Sequence, residues 1–153
     1  MDDRQRLALT FVASQLVFVA ALIHLALGVI EWYRYASIGI LVPPDIRYPM
    51  FVLSGVAILA GMTVAWRSER RRPWYMLGFL AMLGYVFGYF FWHLSGHRPL
   101  FLFGPATGHP LTLQFVIDHY LAGSFETITL TVEALAAVLL GVLYVFDQER
   151  DRE

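Results

Sequence analysis

The chain has 153 residues, of which 58% are hydrophobic and only 15% are charged, and its formal net charge is -1. A soluble domain usually carries about 25% charged residues, so this composition excludes a disordered chain and a nucleic-acid-binding surface and argues against a soluble enzyme. Cysteine is absent, which excludes disulfides, thiolate metal sites and cysteine nucleophiles. The mean hydropathy of +0.60 favours a protein embedded in a lipid bilayer.

Four apolar stretches are each long enough to cross a bilayer as a helix. They cover residues 8–30, 48–66, 74–95 and 124–146, and about 20 residues span the hydrocarbon core at about 1.5 Å per residue. The first stretch is longer than the apolar region of a secretory signal and lacks a small-residue cleavage site, so we expect a permanent span. The sequence therefore predicts an all-α bundle of four transmembrane helices in one integral membrane domain, residues 1–153.

The distribution of arginine predicts the orientation of this bundle. With the N-terminus in the cytoplasm, eight of the eleven basic residues lie inside and three lie outside, as the positive-inside rule requires. We therefore expect a multi-pass protein of the cell membrane with both termini cytoplasmic. Its expected partners are the lipid bilayer and other membrane subunits or further copies of itself, but not nucleic acid. The short connection 67–73 predicts that the second and third spans form an antiparallel hairpin.

The two outer connections differ in kind. The first contains the apolar run 38–42, which we expect to lie on the membrane surface. The second, residues 96–123, contains three of the five histidines. Its second half, residues 111–121, predicts a short, weakly amphipathic helix that begins after Pro110 and caps the outer end of the bundle. The predicted apolar face of this helix comprises Leu113, Val116, Ile117, Tyr120 and Leu121.

Ionisable side chains within the spans are the strongest functional signal, because a charge near the centre of a membrane helix costs about 2.5–3.5 kcal/mol. His24 and Glu31 lie seven residues apart on the first span, and Glu126 and Glu133 lie seven apart on the fourth, so each pair shares a helix face. Counted from the outer ends, His24 and Glu133 lie at similar depth, and we expect them to pair.

The third span combines an aromatic stripe with a small-residue motif. Tyr85 and Tyr89 share a face with His93, and we interpret them as packing residues whose hydroxyls reach toward the interface. Gly84 and Gly88 form a GxxxG pair, which predicts close packing against a neighbouring helix. If the helix continues past residue 95, it also places His97 one turn beyond His93.

The leading functional hypothesis is a polar cluster in the outer half that binds a metal ion or another cofactor. Imidazole nitrogen and carboxylate oxygen suit zinc, copper, manganese or non-haem iron, although no Glu-x-x-His motif of the di-iron bundles is present. The best candidate ligands are His24, His93, His97, Glu126 and Glu133. Additional ligand or capping candidates are Glu31, Asp118 and His119.

Several alternatives stay open at this stage. The same groups would make interhelical hydrogen bonds in a structural or assembly subunit without metal. A b-type haem between His24 and His93 would give an electron-transfer subunit, with small residues making room for the macrocycle: Ala20, Gly28, Gly84 and Gly88. A proton relay would stop midway, because the inner half has nothing ionisable. A hydrolase has little support, because the sequence contains no nucleophile elbow. Enzymatic activity stays undecided.

Overall fold

The structure, a computed structural model, describes residues 2–98 and 112–150, with side chains described up to residue 147. The described residues form five helices and no strand. The helices are α1 (Asp3–Ser37), α2 (Arg47–Arg67), α3 (Arg72–Leu94), α4 (Leu113–Ala122) and α5 (Ser124–Arg150). All but α4 are long and apolar enough to cross a membrane. The prediction of an all-α, four-helix bundle with a short helix in the last connection is confirmed.

The first helix extends well beyond the apolar stretch that predicts it. Its N-terminus is fixed by a capping box: Asp2 Oδ1 accepts from the backbone N–H of Gln5 at 2.8 Å, and Gln5 Oε1 accepts from that of Asp2 at 3.1 Å. Hydropathy detects only the apolar middle of the helix, whereas these polar caps set where it begins.

The helices pack in the order α2, α1, α5, α3. Extensive contacts join α1 to α2, α1 to α5 and α3 to α5, whereas α2 and α3 meet at only a few positions. Small residues permit the close approach of α1 and α2: a Cβ built on Gly28 would lie 2.7 Å from the carbonyl oxygen of Tyr48, and one on Gly55 would lie 3.0 Å from that of Ala21. The second and third spans are therefore antiparallel neighbours along the chain without forming a packed pair.

The two ends of the bundle are distinct. The start of α1 and the last turns of α5 lie together at one end, where Arg6 Nε is 3.4 Å from Asp147 Oδ1. The opposite end, which we call the distal end, carries the α1–α2 connection and α4. Large apolar side chains are exposed along the long helices, among them Phe11, Leu53 and Phe87, which is the surface expected of helices that face lipid.

Helix α4 begins at a polar cap. The hydroxyl of Thr112 accepts a hydrogen bond from the backbone N–H of Phe115 at 3.2 Å, and threonine is a favoured N-cap. The predicted helix start at Pro110 lies outside the described residues, as does His109.

The face that α4 turns to the bundle differs from the predicted one. Val116 is fully buried, but Leu113 and Leu121 are 59% and 67% exposed. The rings of Phe115 and His119 lie 5.8 Å apart on the bundle side and contact the end of α3. The predicted apolar face is confirmed at Val116 and wrong at Leu113 and Leu121, because the rings of Phe115 and His119 dock the helix together with Val116.

Candidate functional site

A cavity of about 690 Å³ lies between α2 and α3 in the distal half of the bundle. All four long helices contribute to its wall, and α4 contributes His119. We call it the α2–α3 cavity. Its lining is mainly apolar and aromatic with a few polar groups, which is typical of small-molecule sites. The ionisable residues in its wall are His24, Arg47, Tyr85, Tyr89, His93, His119, Glu126 and Glu133.

The deep part of the cavity contains the predicted pair of His24 and Glu133. His24 Nε2 lies 3.3 Å from Glu133 Oε1, and the two residues are only 5% and 2% exposed. His24 Nδ1 lies 3.0 Å from the carbonyl oxygen of Ala20. A carbonyl oxygen only accepts, so Nδ1 carries a proton and Nε2 faces the carboxyl group. The pairing expected from helix depth is confirmed.

Tyr85 supports this pair from α3. Its ring stacks on the imidazole of His24 with centroids 3.8 Å apart, and its hydroxyl donates to Ser54 Oγ on α2 at 2.7 Å. The predicted orientation of this hydroxyl toward the interface was wrong. The hydrogen bond instead joins α3 to α2 across the cavity.

A cluster of three histidines lies at the distal side of the cavity. His93 is 2% exposed, and its ring centroid is 4.5 Å from that of His97 and 4.9 Å from that of His119. His93 Nδ1 is 2.9 Å from the carbonyl oxygen of Tyr89 and therefore carries a proton. In the neutral imidazole His93 Nε2 then has only a lone pair to offer, and it has no hydrogen-bond partner among the described residues.

His97 joins this cluster through a turn and not through a longer helix. Helix α3 ends at Leu94, and after Ser95 two consecutive residues adopt positive φ angles, 81° at Gly96 and 56° at His97. The N–H of Gly96 bonds to the carbonyl of His93, and that of His97 bonds to the carbonyl of Trp92, which is the Schellman pattern. The turn folds the imidazole back until it stacks on Trp92 at 3.9 Å.

The predicted ligands do not converge on one point. In the part of the chain that the structure describes, no group of three or more histidine, aspartate or glutamate side chains is arranged to hold a metal ion. Tyr85, which stacks on His24, is eight residues and about 12 Å along α3 from His93. Metal–nitrogen bonds are about 2 Å long, so one metal ion or haem iron cannot take both His24 and His93.

Three of the predicted acidic residues differ in their placement. Glu31 forms a surface ion pair with Arg34 at 2.5 Å. Asp118 is exposed and accepts a hydrogen bond from the Gln114 amide at 2.8 Å. Neither residue lines the α2–α3 cavity, whereas Glu126 does. The seven-residue spacing did not distinguish an acidic residue that lines the cavity, such as Glu126, from one on the outer surface, such as Glu31.

The GxxxG motif of α3 lines the cavity. A Cβ built on Gly84 or on Gly88 would meet no atom within 4 Å, and both residues form part of the cavity wall. The prediction of close helix packing at this motif was wrong. The space beside Gly28, which was expected to accommodate a haem, is instead occupied by the backbone of α2.

Three buried polar atoms in the cavity wall lack a hydrogen-bond partner among the described residues: Tyr89 Oη, Trp92 Nε1 and His93 Nε2. Leaving a buried polar group unpaired costs about 1–3 kcal/mol. The sequence pattern of α3 predicted that Tyr89 is a packing residue. Trp92 lies four residues from Gly88 and Tyr89 lies four residues from His93, and this spacing was the signal that they share the cavity wall.

No family model, curated protein or solved structure matches this chain.

Proposed function

We propose that the chain is a multi-pass membrane protein that binds a small lipophilic cofactor or other ligand in the α2–α3 cavity. The observation that carries this proposal is a mainly apolar cavity of about 690 Å³ with three buried polar atoms in its wall that lack partners among the described residues. Ligand sites of about 300–1,000 Å³ with a few placed polar groups are the usual form of small-molecule sites.

The four apolar helices support the membrane location, and arginine supports the orientation. The α2–α3 connection contains Arg70 and Arg71, at the same end of the bundle as the termini with Arg4 and Arg6. In line with the positive-inside rule, we propose that this end faces the cytoplasm. The cavity then lies in the outer half of the bilayer.

A purely structural role gives no reason for the empty space. Protein interiors are close-packed, with few voids larger than a water molecule, and a structural pair such as His24 and Glu133 needs no adjacent cavity. Unpaired polar groups in the cavity wall add a free-energy cost that an additional bound molecule removes. Ligand binding therefore accounts for the polar atoms and the space together.

The three-histidine cluster supports transition-metal binding as a second candidate function. The ring centroids of His93, His97 and His119 are 4.5–6.1 Å apart, and imidazole is a common ligand of zinc and copper. The rings would have to turn before their nitrogens converge. Elemental analysis after chelator-free purification tests this candidate, with His93→Ala and His97→Ala as paired variants. Unchanged metal content in both variants contradicts it.

Filling the cavity tests the main proposal. Gly84→Leu places a side chain into open space, so we expect the fold to be retained and a co-purified ligand to be lost. Gly61→Leu is the matched control, because Gly61 is also uncrowded but does not line the α2–α3 cavity. Native mass spectrometry from mild detergent compares the bound mass in the three proteins.

The outcomes are separable. A bound mass in the wild type and in Gly61→Leu that is absent from Gly84→Leu supports the proposal. Equal ligand content in Gly84→Leu and in the wild type contradicts it. An absorption spectrum of the same samples tests for haem through the Soret band.

A further inference from the structure

Two side-chain bridges cross the gap between α2 and α3. The hydroxyl of Tyr85 donates to Ser54 at 2.7 Å, and the guanidinium of Arg47 lies over the Trp92 ring at 3.5 Å. On both helices the bridges are seven residues, or about 10 Å, apart. Gly88 lies between them on α3, so the wall of the cavity is open between the two bridges. We call this opening the window.

The window lies among residues that face lipid. Leu53 on α2 is 68% exposed, and Phe87 and Phe91 on α3 are 65% and 45% exposed. A molecule that occupies this part of the cavity therefore borders the acyl chains of the bilayer and needs a lipophilic body.

We infer that the α2–α3 cavity takes a flat lipophilic ring that carries a hydroxyl group, of the phenol or quinol class. The inference rests on the proposed function and specifies its ligand class. It depends on two independent features of the wall: its shape at the glycine pair, and the hydrogen-bonding capacity of the polar atoms that lack partners.

The shape of the wall favours a flat ring. Gly84 and Gly88 are one helical turn apart, and neither is covered by a neighbouring side chain within 4 Å of its missing Cβ. The bare backbone of one helical turn is a surface that a planar ring can approach to contact distance, about 3.5–4.0 Å between carbon atoms. A flexible chain makes fewer contacts with such a surface and loses more conformational entropy when it binds.

The polar atoms favour a hydroxyl group. The proton on His93 Nδ1 faces the Tyr89 carbonyl, so Nε2 only accepts, and it needs a donor on the ligand. Trp92 Nε1 only donates, and it needs an acceptor. A hydroxyl group supplies both, since it can donate to His93 Nε2 and accept from Trp92 Nε1 or from the Tyr89 hydroxyl. A methyl ether retains the acceptor and loses the donor.

Three probes separate these features: 2-naphthol, its methyl ether 2-methoxynaphthalene, and 1-decanol, which has a hydroxyl but no ring. Equilibrium dialysis of the protein in detergent micelles, against empty micelles, gives the affinities. We expect 2-naphthol to bind about three- to tenfold more tightly than its ether, which is the worth of one hydrogen bond. We also expect 1-decanol to bind more weakly than 2-naphthol.

Two variants locate the probe in the cavity. His93→Phe keeps an aromatic ring and removes the acceptor, so it should abolish the preference for naphthol over its ether. Gly88→Leu should weaken naphthol binding at least tenfold, whereas Gly61→Leu, outside the cavity, should not change it.

Failure of this inference is distinguishable from failure of the proposed function. Equal affinity for naphthol and decanol overturns the flat ring, and equal affinity for naphthol and its ether overturns the role of His93. In either case, a loss of probe binding in Gly88→Leu still supports the proposal that the α2–α3 cavity binds a ligand. If no probe responds to Gly88→Leu and no ligand co-purifies, the inference and the proposed function are both overturned.

Discussion

Breaking the contact between His24 and Glu133 tests whether it couples α1 to α5. Both groups are almost completely buried, and their closest atoms are 3.3 Å apart. Removing one partner leaves a buried polar atom unpaired, which costs about 1–3 kcal/mol. We therefore expect His24→Leu and Glu133→Leu each to lower the free energy of unfolding by this amount. The double variant leaves neither polar group unpaired, so its loss in the free energy of unfolding should be smaller than the sum of the two single losses.

Glu133→Gln distinguishes a neutral hydrogen bond from an ion pair. A glutamine amide can donate to His24 Nε2, because the proton of this imidazole lies on Nδ1 toward Ala20. If the contact is a neutral hydrogen bond, we expect a cost below about 1 kcal/mol. Breaking a buried ion pair costs about 3–5 kcal/mol, so a loss of that size would indicate charged partners.

Reversible unfolding in mixed micelles, followed by circular dichroism, measures these free energies as a double-mutant cycle. Glu31→Gln serves as a control, because the Glu31–Arg34 pair is surface-exposed and such pairs contribute about 0–1 kcal/mol. If the losses of the two leucine variants add to within about 0.5 kcal/mol in the double variant, the contact does not couple the helices and the reasoning is refuted.

The remaining predictions concern the helix interfaces and use the same unfolding assay. Gly28→Ala should destabilise the protein by about 1–3 kcal/mol, because its Cβ would lie 2.7 Å from the Tyr48 carbonyl oxygen; unchanged stability would contradict the tight α1–α2 contact. Gly88→Ala should instead be neutral or stabilise by up to about 1 kcal/mol, and a marked loss would show that this glycine packs after all. Tyr85→Phe removes the hydrogen bond to Ser54 and should cost about 0.6 kcal/mol and at most about 1.7 kcal/mol; a larger loss would indicate that the bridge also supports the cavity wall.

Hydropathy predicted the spans because the signal is local. An apolar stretch of sufficient length identifies a membrane helix regardless of its neighbours. The pairing of His24 with Glu133 was predictable for a related reason: both positions are fixed by rise per residue, counted from the same end of the bundle. Depth along a helix axis depends only on the number of residues counted from its end, so it can be read from the sequence.

The direction in which each residue points around its helix axis was much less predictable. The pair Gly84 and Gly88 has the spacing of a packing motif, but the motif does not state whether a partner helix approaches. Helix α4 shows the same limit, since its aliphatic periodicity pointed to Leu113 and Leu121, which are exposed. The position of His97 was inaccessible in another way, because a two-residue turn with positive φ angles determines it.

The cavity follows from where the chain places its small residues. Gly28 on α1 and Gly55 on α2 let these helices come into contact, and Gly78 and Gly141 do the same for α3 and α5, against Leu140 and Phe79. The interface between α2 and α3 has no such pair. Along the cavity its glycines, Gly84 and Gly88, lie on α3, and the side chains that cross it are long ones that bridge the gap. Close packing at three interfaces and bridging at the fourth leave a space between α2 and α3, and the buried polar atoms without partners lie along that space.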